Sequence, residues 1–324
     1  MNNNKKFFKI DPILHASWLY YQEGLNQADV AEKMNVSRLT INKYLLQARE
    51  RGVIKIELNL DEYMNDYSAI TIKTKFNLSN VFIVPGIHSA IMPSTEFRKY
   101  MANAGAAYLA EMIEDNDFLG VAWGRTIHML GNYITPKRLH NVNVIQMLGS
   151  ILPQPDFTTI ESSTKIAQKL SAECVSLHVP AIVSTSRLAQ ELMNEPIIQH
   201  NFSLLQQCNK ALTVVGNTQN TNPLISSGVL STQEMKIVRD LGAVGVLCGR
   251  FYDIDGQAVP YKDVDNRLLG ITLDQLREIK TKIFLSAGEH NFDALIGALH
   301  GNFITDLIID EDTAKFLLNY TPKQ

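Results

Sequence analysis

The order of apolar and polar positions divides this chain into two regions of different rhythm. Up to about residue 60 the spacing is helical. Ala28, Val30, Ala31 and Met34 would form the buried face of a helix over 27–34, and Leu39, Ile41, Tyr44, Leu45 and Ala48 the inner face of a second, from Arg38 to about Arg51. Asn26 and Ser37 stand just before these runs, where a side-chain oxygen can accept from the unpaired N–H groups of a first helical turn. Between the two helices Asn35-Val36 supply a tight turn, because Asn tolerates the left-handed backbone that most residues avoid. After Gly52 the run VIKIELNL (53–60) alternates with period two, the pattern of a strand with Lys55 facing outward.

From residue 61 the rhythm changes. Residues 61–79 read as a connecting helix, with the domain boundary near 60, and deliver the chain to a strand at Val81–Val84. Short apolar runs then alternate with longer amphipathic ones: a helix over Ser94–Ile113, the strand FLGVAW, a helix after Thr126, VNVIQML, a helix over Thr164–Leu170, PAIVS, a helix over Arg187–Gln206, ALTVVG, a helix over Thr232–Leu241, VGVLCG, and IFLS before a last helix. Such alternation predicts a mostly parallel, doubly wound α/β sheet covered on both faces, with ligands held at the carboxyl ends of its strands.

In the first region the elements spell a winged helix-turn-helix, all-α apart from its wing, over residues 1–60. Ala31 is small where two helices must cross closely, and 53–60 would be the wing. Arg38, Thr40, Asn42 and Lys43 lie near the start of the second helix, where they could donate to phosphates or read base edges in the major groove of double-stranded operator DNA; Ser37, its cap, and Gln27, at the start of the first helix, are candidates for the same contact. An ordinary helical hairpin would share the bare pattern; the joint presence of Gln27, Ala31, Val36-Ser37, Thr40-Ile41 and the following strand favours the DNA reader. Charge agrees. Residues 1–58 carry nine Lys and Arg against six Asp and Glu, while the remainder carries 21 against 27. An excess this small implies that specific binding needs two or more copies on one operator, hence a homo-oligomer, dimer or tetramer.

In the second region, 61–324, the strand ends are rich in glycine and small polar residues. One runs into Gly124-Arg125-Thr126 at the head of a helix, where N–H groups, a hydroxyl and a guanidinium could converge on a phosphate. Others end in Gly149-Ser150, Gly216-Asn217-Thr218, Cys248-Gly249-Arg250 and Gly288-Glu289-His290-Asn291. A single glycine often does no more than end a strand; recurrence at five strand ends marks a candidate effector site.

The helix-turn-helix combined with VAWGRT (121–126), IQMLGS (145–150), LGAVGVLCGRFYDIDG (241–256), LSAGEHNFDALIGAL (285–299) and LIIDEDTA (307–314) resembles the SorC family of bacterial sugar-responsive transcriptional regulators. The resemblance spans nearly the whole chain. It implies an effector and oligomerisation domain related in fold to sugar-phosphate isomerases and deaminases, and control of a carbohydrate operon by a phosphorylated sugar; the effector expected for this chain is a sugar, sugar alcohol or sugar phosphate. Gly124, Arg125, Thr126, Gly149 and Gly288 match family turns near the effector. Two positions depart from the pattern: Val246 stands where many members carry Asp, and Asn291 where many carry Lys. These changes remove a carboxylate for sugar hydroxyls and a cation for phosphate, leaving Glu289 and His290 for hydroxyls and Arg125 or Arg250 for any phosphate.

A sugar-phosphate isomerase or deaminase is the alternative, with Glu161, Asp253 and Glu289 as acidic candidates, and a pocket that has lost its ligand is another. The missing lysine and the fused DNA reader weigh against catalysis. No cofactor or metal is expected: His88, His128, His140, His178, His200 and His300 are scattered, and Cys174, Cys208 and Cys248 are read as buried free thiols. Without a signal segment or a membrane-length apolar run, a cytoplasmic protein is expected. Trp18 is read as part of the helix-turn-helix core and Trp123 as a neighbour of the effector turn. Segment 61–79 is the expected lever between ligand and DNA.

Overall fold

The computed structural model describes residues 10–54, 59–88, 92–151 and 158–321. The chain divides into two compact units, Met1–Leu58 and Asn59–Gln324.

The first unit is built on three helices: α1 (Pro12–Ser17), which continues as a wider helical turn over Trp18–Gln22, α2 (Gln27–Met34) and α3 (Arg38–Glu50). Both sequence-predicted caps are made. Asn26 Oδ1 accepts from the N–H groups of Ala28 and Asp29 at 2.9 and 3.1 Å, and Ser37 Oγ from that of Thr40 at 3.1 Å. Asn35 takes the left-handed conformation, φ 53°, at the turn. Ala16, Leu19, Val30, Ala31, Ile41 and Leu45 form the core.

Three expected core positions lie elsewhere. Trp18 is 61% exposed, because the inward spacing of the first helix is Ile13, Ala16, Leu19. Leu39 is 79% exposed: it stands two residues, about 200° of helical rotation, from buried Ile41. Ala28 is also exposed. The predicted wing falls largely on residues 55–58, outside the described residues, and its last position, Leu60, instead opens a helix.

The second unit begins with α4 (Leu60–Met64) and α5 (Tyr67–Lys75), two short helices where one connecting helix was expected, separated at Asp66, which caps α5. Leu60 on α4 and Ala69 and Ile72 on α5 are buried in the cores of the second unit, so segment 61–79 is an integral layer of that unit.

The sheet comprises β1 (Asn80–Val84), β2 (Phe118–Val121), β3 (Asn143–Gln146), β4 (Glu173–Val175) and β5 (Lys210–Val214), joined by β9 (Thr281–Ser286) and β10 (Asp306–Asp310). Its order is β1-β10-β9-β5-β2-β3-β4, and every pairing is parallel. Strand alternation feeds two cores. Ile283, Leu285, Ile308 and Leu119 point to the side covered by α6 (Ser94–Met112), α7 (Arg125–Tyr133) and α8 (Thr159–Leu170), while Phe284, Leu307, Ile309 and Ala211 point to the other.

Three expectations are corrected here. Helix 187–206 is two helices, α9 (Ser186–Met193) and α10 (Pro196–Leu205), because Pro196 lacks an N–H and favours a helical first turn. PAIVS is no strand of the sheet; it crosses the end of β3 through isolated bridges, Ser150 to Pro180 and Ile182 to Leu268, and β4 takes the edge.

The run VGVLCG lies outside the parallel sheet. β7 (Gly245–Leu247) pairs antiparallel with β6 (Gly216–Asn217) and with β8 (Arg250–Tyr252). Cys248 and Gly249 both have positive φ, 48° and 79°, which makes the supposed strand end a two-residue hairpin turn of the kind whose twist suits antiparallel strands. Around this hairpin lie α11 (Pro223–Ser226), α12 (Thr232–Asp240), α13 (Lys262–Asp265) and α14 (Leu273–Glu278); α15 (Phe292–His300) and α16 (Glu311–Asn319) follow β9 and β10.

Of the three thiols, Cys208 is buried, Cys248 is half-buried and Cys174 is exposed on the edge strand, a correction for two of them. Among the described residues no helix is long and apolar enough to cross a membrane, and no group of His, Cys, Asp or Glu is arranged to hold a metal ion.

Candidate functional site

In the first unit the exposed start of α3 gathers the sequence-predicted residues. Arg38, Asn42 and Lys43 are exposed. Ser37 and Thr40 serve the helix itself: Ser37 Oγ accepts from Thr40 N–H and lies 2.8 Å from Thr40 Oγ1. Gln27, at the head of α2, accepts a long hydrogen bond from Arg38 Nε at 3.4 Å, which aligns the two helix starts. The other end of α3 is locked down, with Arg49 donating to Tyr21 Oη at 2.9 and 3.0 Å and Arg51 paired with Asp11 at 3.0 Å. What the rest of the helix presents to solvent is a rigid surface with a guanidinium, an amide and an ammonium at its amino-terminal end, suited to an anionic, hydrogen-bonding partner.

In the second unit, strand order identifies the crevice. From β2 the chain proceeds outward to β3 and β4, and from β5 it proceeds the other way to β9 and β10, so the switch point lies between adjacent strands β2 and β5. Ligands of open parallel sheets settle at such points, beyond the carboxyl ends. Gly124, which caps α7, follows β2 and lies beside β5; a Cβ there would meet the Val214 side chain at 3.6 Å, an ordinary packing distance. Arg125 and Thr126, both half-buried, form the first turn of α7.

The ends of β5 and β9 are tied together by amides. Asn217 Nδ2 donates to Asn291 Oδ1 at 2.8 Å, Asn291 Nδ2 to the Ala287 carbonyl at 2.9 Å, and Asn222 Nδ2 to the Asn217 carbonyl at 2.6 Å. Asn291 therefore acts as a neutral clamp between two turns. Gly288, φ 84°, lets the turn fold so tightly that a Cβ there would lie 2.7 Å from the His290 ring; Glu289 and His290 are exposed at the rim. Val246 is buried beside Gly216, where its methyl would be 3.0 Å from an added Cβ, and packs in an apolar core with Leu148 and Phe251.

Two sequence-predicted residues serve packing. Arg250 is committed to Asp265, 3.0 Å to its carbonyl and 3.2 Å to its carboxylate, and to the Leu268 carbonyl at 3.3 Å. Gly149 lets the 179–180 backbone cross, since a Cβ would fall 2.5 Å from the Pro180 carbonyl oxygen. Its neighbour Ser150 lines a separate cavity of about 660 Å³ beyond β3 and β4, shared with Ser176, His178, Ser227 and aliphatic side chains. His178 holds a left-handed backbone there, φ 57°. That volume is of ligand size, but its lining does not include the turns at Gly124, Gly216 and Gly288.

Sequence reasoning passed over several groups. Asn222 is one; its Asn-Pro dipeptide was the available signal. Ser286 closes an otherwise apolar strand run, and Asp310 closes β10. Both are buried, and Ser286 Oγ and Asp310 Oδ2 have no hydrogen-bond partner. Buried polar groups are ordinarily satisfied, so unpaired atoms at two strand ends point to a place where partners arrive from outside. The amino edge of the sheet is the opposite. Lys210 pairs with Asp117 at 2.6 Å, Asn209 donates to Asp117 at 2.8 Å, and Tyr108 and Asn80 both donate to Asp306, at 2.5 and 2.8 Å. Burial, reinforced by the Asp306 charge, pushes the Tyr108 phenol well above its ordinary range.

His128, on α7, contacts Ser162 Oγ at 3.3 Å. Burial first and the Lys165 charge second hold its pKa below the ordinary imidazole value, with Glu161 opposing. Glu161 is the exposed partner of Lys165, 2.7 Å away. Trp123 packs against the core that contains Val246, Leu148 and Phe251.

Residues 65–319 match a family model described as a sugar-binding domain. The chain is 55% identical over 317 residues to the transcriptional regulator YjhU of Escherichia coli (strain K12), covering 97% of this chain and 96% of that one. It is 27% identical over 311 residues to the deoxyribonucleoside regulator of Bacillus subtilis (strain 168), covering 94% and 96%. In fold it matches the crystal structure of the full-length sorbitol operon regulator SorC from Klebsiella pneumoniae with a TM-score of 0.76 at 24% identity, over 95% of this chain and 98% of that one.

Proposed function

The chain belongs to the SorC family of sugar-binding transcriptional regulators, and on that premise we propose how its two units divide the work. It is a regulator of a carbohydrate operon and not an enzyme, as its relatives are. Residues 1–58 read operator DNA through Arg38, Asn42 and Lys43, with Ser37, Thr40 and Gln27 holding the helix starts in place. Residues 59–324 bind a sugar or sugar alcohol in the crevice at the switch point, with Arg125, Thr126 and the N–H groups of the first turn of α7 as its polar wall. The protein acts as a homo-oligomer on a bipartite site.

The observation that carries the ligand reading is the pair of unpartnered buried atoms, Ser286 Oγ and Asp310 Oδ2, at the carboxyl edge of a sheet whose amino edge is closed by paired groups. A neutral polyol suits this crevice better than a phosphate ester. Asn291 supplies an amide already engaged at both ends, Val246 supplies no acceptor, and Arg250 is committed to Asp265 and the Leu268 carbonyl.

The test is a mobility shift with the full chain and the DNA upstream of its own gene, titrated with free sugars, sugar alcohols and their phosphates. A free polyol should change operator affinity, by the roughly 5- to 150-fold usual for such linkage. Arg125→Ala and Thr126→Ala should raise the concentration needed while leaving ligand-free binding intact. A response confined to phosphorylated compounds would overturn the neutral-polyol reading, and full response in both variants would place the ligand elsewhere.

A further inference from the structure

The recognition face of α3 is partly apolar. Leu39, Asn42, Lys43 and Leu46 fall within an arc of about 100° on the helix, given 3.6 residues per turn, opposite the buried row Ile41, Leu45 and Ala48. Leu39 is 79% exposed and Leu46 56%. A leucine this exposed contributes little to folding and would gain free energy if an apolar group covered it; single exposed leucines are common, so its position carries the argument.

Its position says what could cover it. Leu39 is the second residue of α3, flanked by Arg38 and one helical turn from Asn42 and Lys43, all exposed. Groups that donate to phosphates and base edges thus surround a single apolar tip at the end of the helix that enters a major groove first. In that groove the one apolar group a base pair offers is the thymine C5-methyl. Leu46 lies two turns further on, about 10 Å along the axis, where a helix entering by its amino end has moved away from the base edges.

We propose that Leu39 is a specificity-determining residue that reads a thymine methyl in each operator half-site. This rests on the operator-binding function above and adds the base it selects. Asn42 reads by hydrogen bonding, Leu39 by shape and apolar contact, so discrimination at this position depends on a methyl group and on no hydrogen bond.

The test uses the full chain and the DNA upstream of its own gene, first footprinted and then synthesised with each protected thymine replaced in turn by deoxyuridine, which lacks only the methyl. The wild-type chain should bind about fourfold more weakly at one thymine in each half-site, the factor that corresponds to burying one methyl-sized group. Leu39→Ala should weaken binding to the unmodified DNA by a similar factor and be indifferent to uracil at that thymine. Leu46→Ala, a change of the same size on the same face, should keep the full uracil sensitivity. At its exposure Leu39→Ala should leave the melting temperature unchanged, so a loss of affinity reports contact and not unfolding.

A uracil scan that is flat for the wild-type chain, or identical in Leu39→Ala, would overturn the assignment while leaving operator binding in place. A wild-type chain that gives no footprint would overturn the operator-binding function and this inference with it.

Discussion

At the scale of single residues, the structure separates side chains that hold the fold from side chains offered outward. Ser37 and Thr40 bond to each other, whereas Asn42 and Arg38 face solvent. Asn42→Ala should therefore lower affinity for the footprinted operator about ten- to a hundredfold and relax preference at one base pair, while Arg38→Ala should weaken binding across sequences and reduce the salt slope by about one; equilibrium binding at several salt concentrations checks both. His128 gives a prediction in pH. Its folded pKa lies below the ordinary 6.5, because burial disfavours the imidazolium. As pH falls through about 6.5 the unfolded state takes up a proton that the folded state does not, so stability declines from there downward. Thermal melts at pH 7.5 and 5.5 should show a drop that is smaller in His128→Gln. Residue types alone do not reveal exposure. Leu39 looked like core because it is leucine, and only its angular distance from Ile41 reveals that it faces outward.

At the scale of elements, local signals were legible wherever capping chemistry decided the outcome. Asn26, Asn35 and Ser37 could be assigned to caps and a turn without tertiary information, and each does that work. The turn yields a direct prediction. Asn35→Val places a β-branched residue at φ 53° and should destabilise the first unit by about 1–2 kcal/mol, while Asn35→Gly should cost little; calorimetry of the full chain checks both. The misread elements share a cause, namely that apolar runs look alike whether they pair parallel, pair antiparallel or cross an edge. GVL and RFY form a hairpin because Cys248 and Gly249 both turn left, a property that Cys does not advertise. PAIVS resembles a strand in composition, but its place in the sheet was already taken by the polar-looking Glu173–Val175. Tertiary pairing, which no local window contains, decided both.

At the scale of the whole molecule, alternation of strands and helices was enough to foresee a parallel sheet, and the switch between β2 and β5 then follows from strand order. The candidate site was less legible than the fold, because a glycine at a strand end has no single meaning: a Cβ at Gly124 would meet its neighbour at 3.6 Å, whereas at Gly149 the crossing Pro180 backbone leaves no room for one. The prediction at this scale concerns copies. If the proposed homo-oligomer binds two half-sites, an insertion of about 5 base pairs between them should abolish specific binding and one of about 10 should largely restore it; light scattering on the protein–DNA complex should return an even multiple of the 36.3 kDa chain mass.

The closed amino edge and the open carboxyl edge of one sheet have a consequence over longer times. Because Asp117, Lys210, Asp306 and Tyr108 secure the scaffold at the amino edge, changes at the opposite edge can accumulate without endangering it, and a new metabolite can be adopted by drift in a few turns. A single architecture can thus serve regulators of different compounds, as relatives named for sorbitol and for deoxyribonucleosides do.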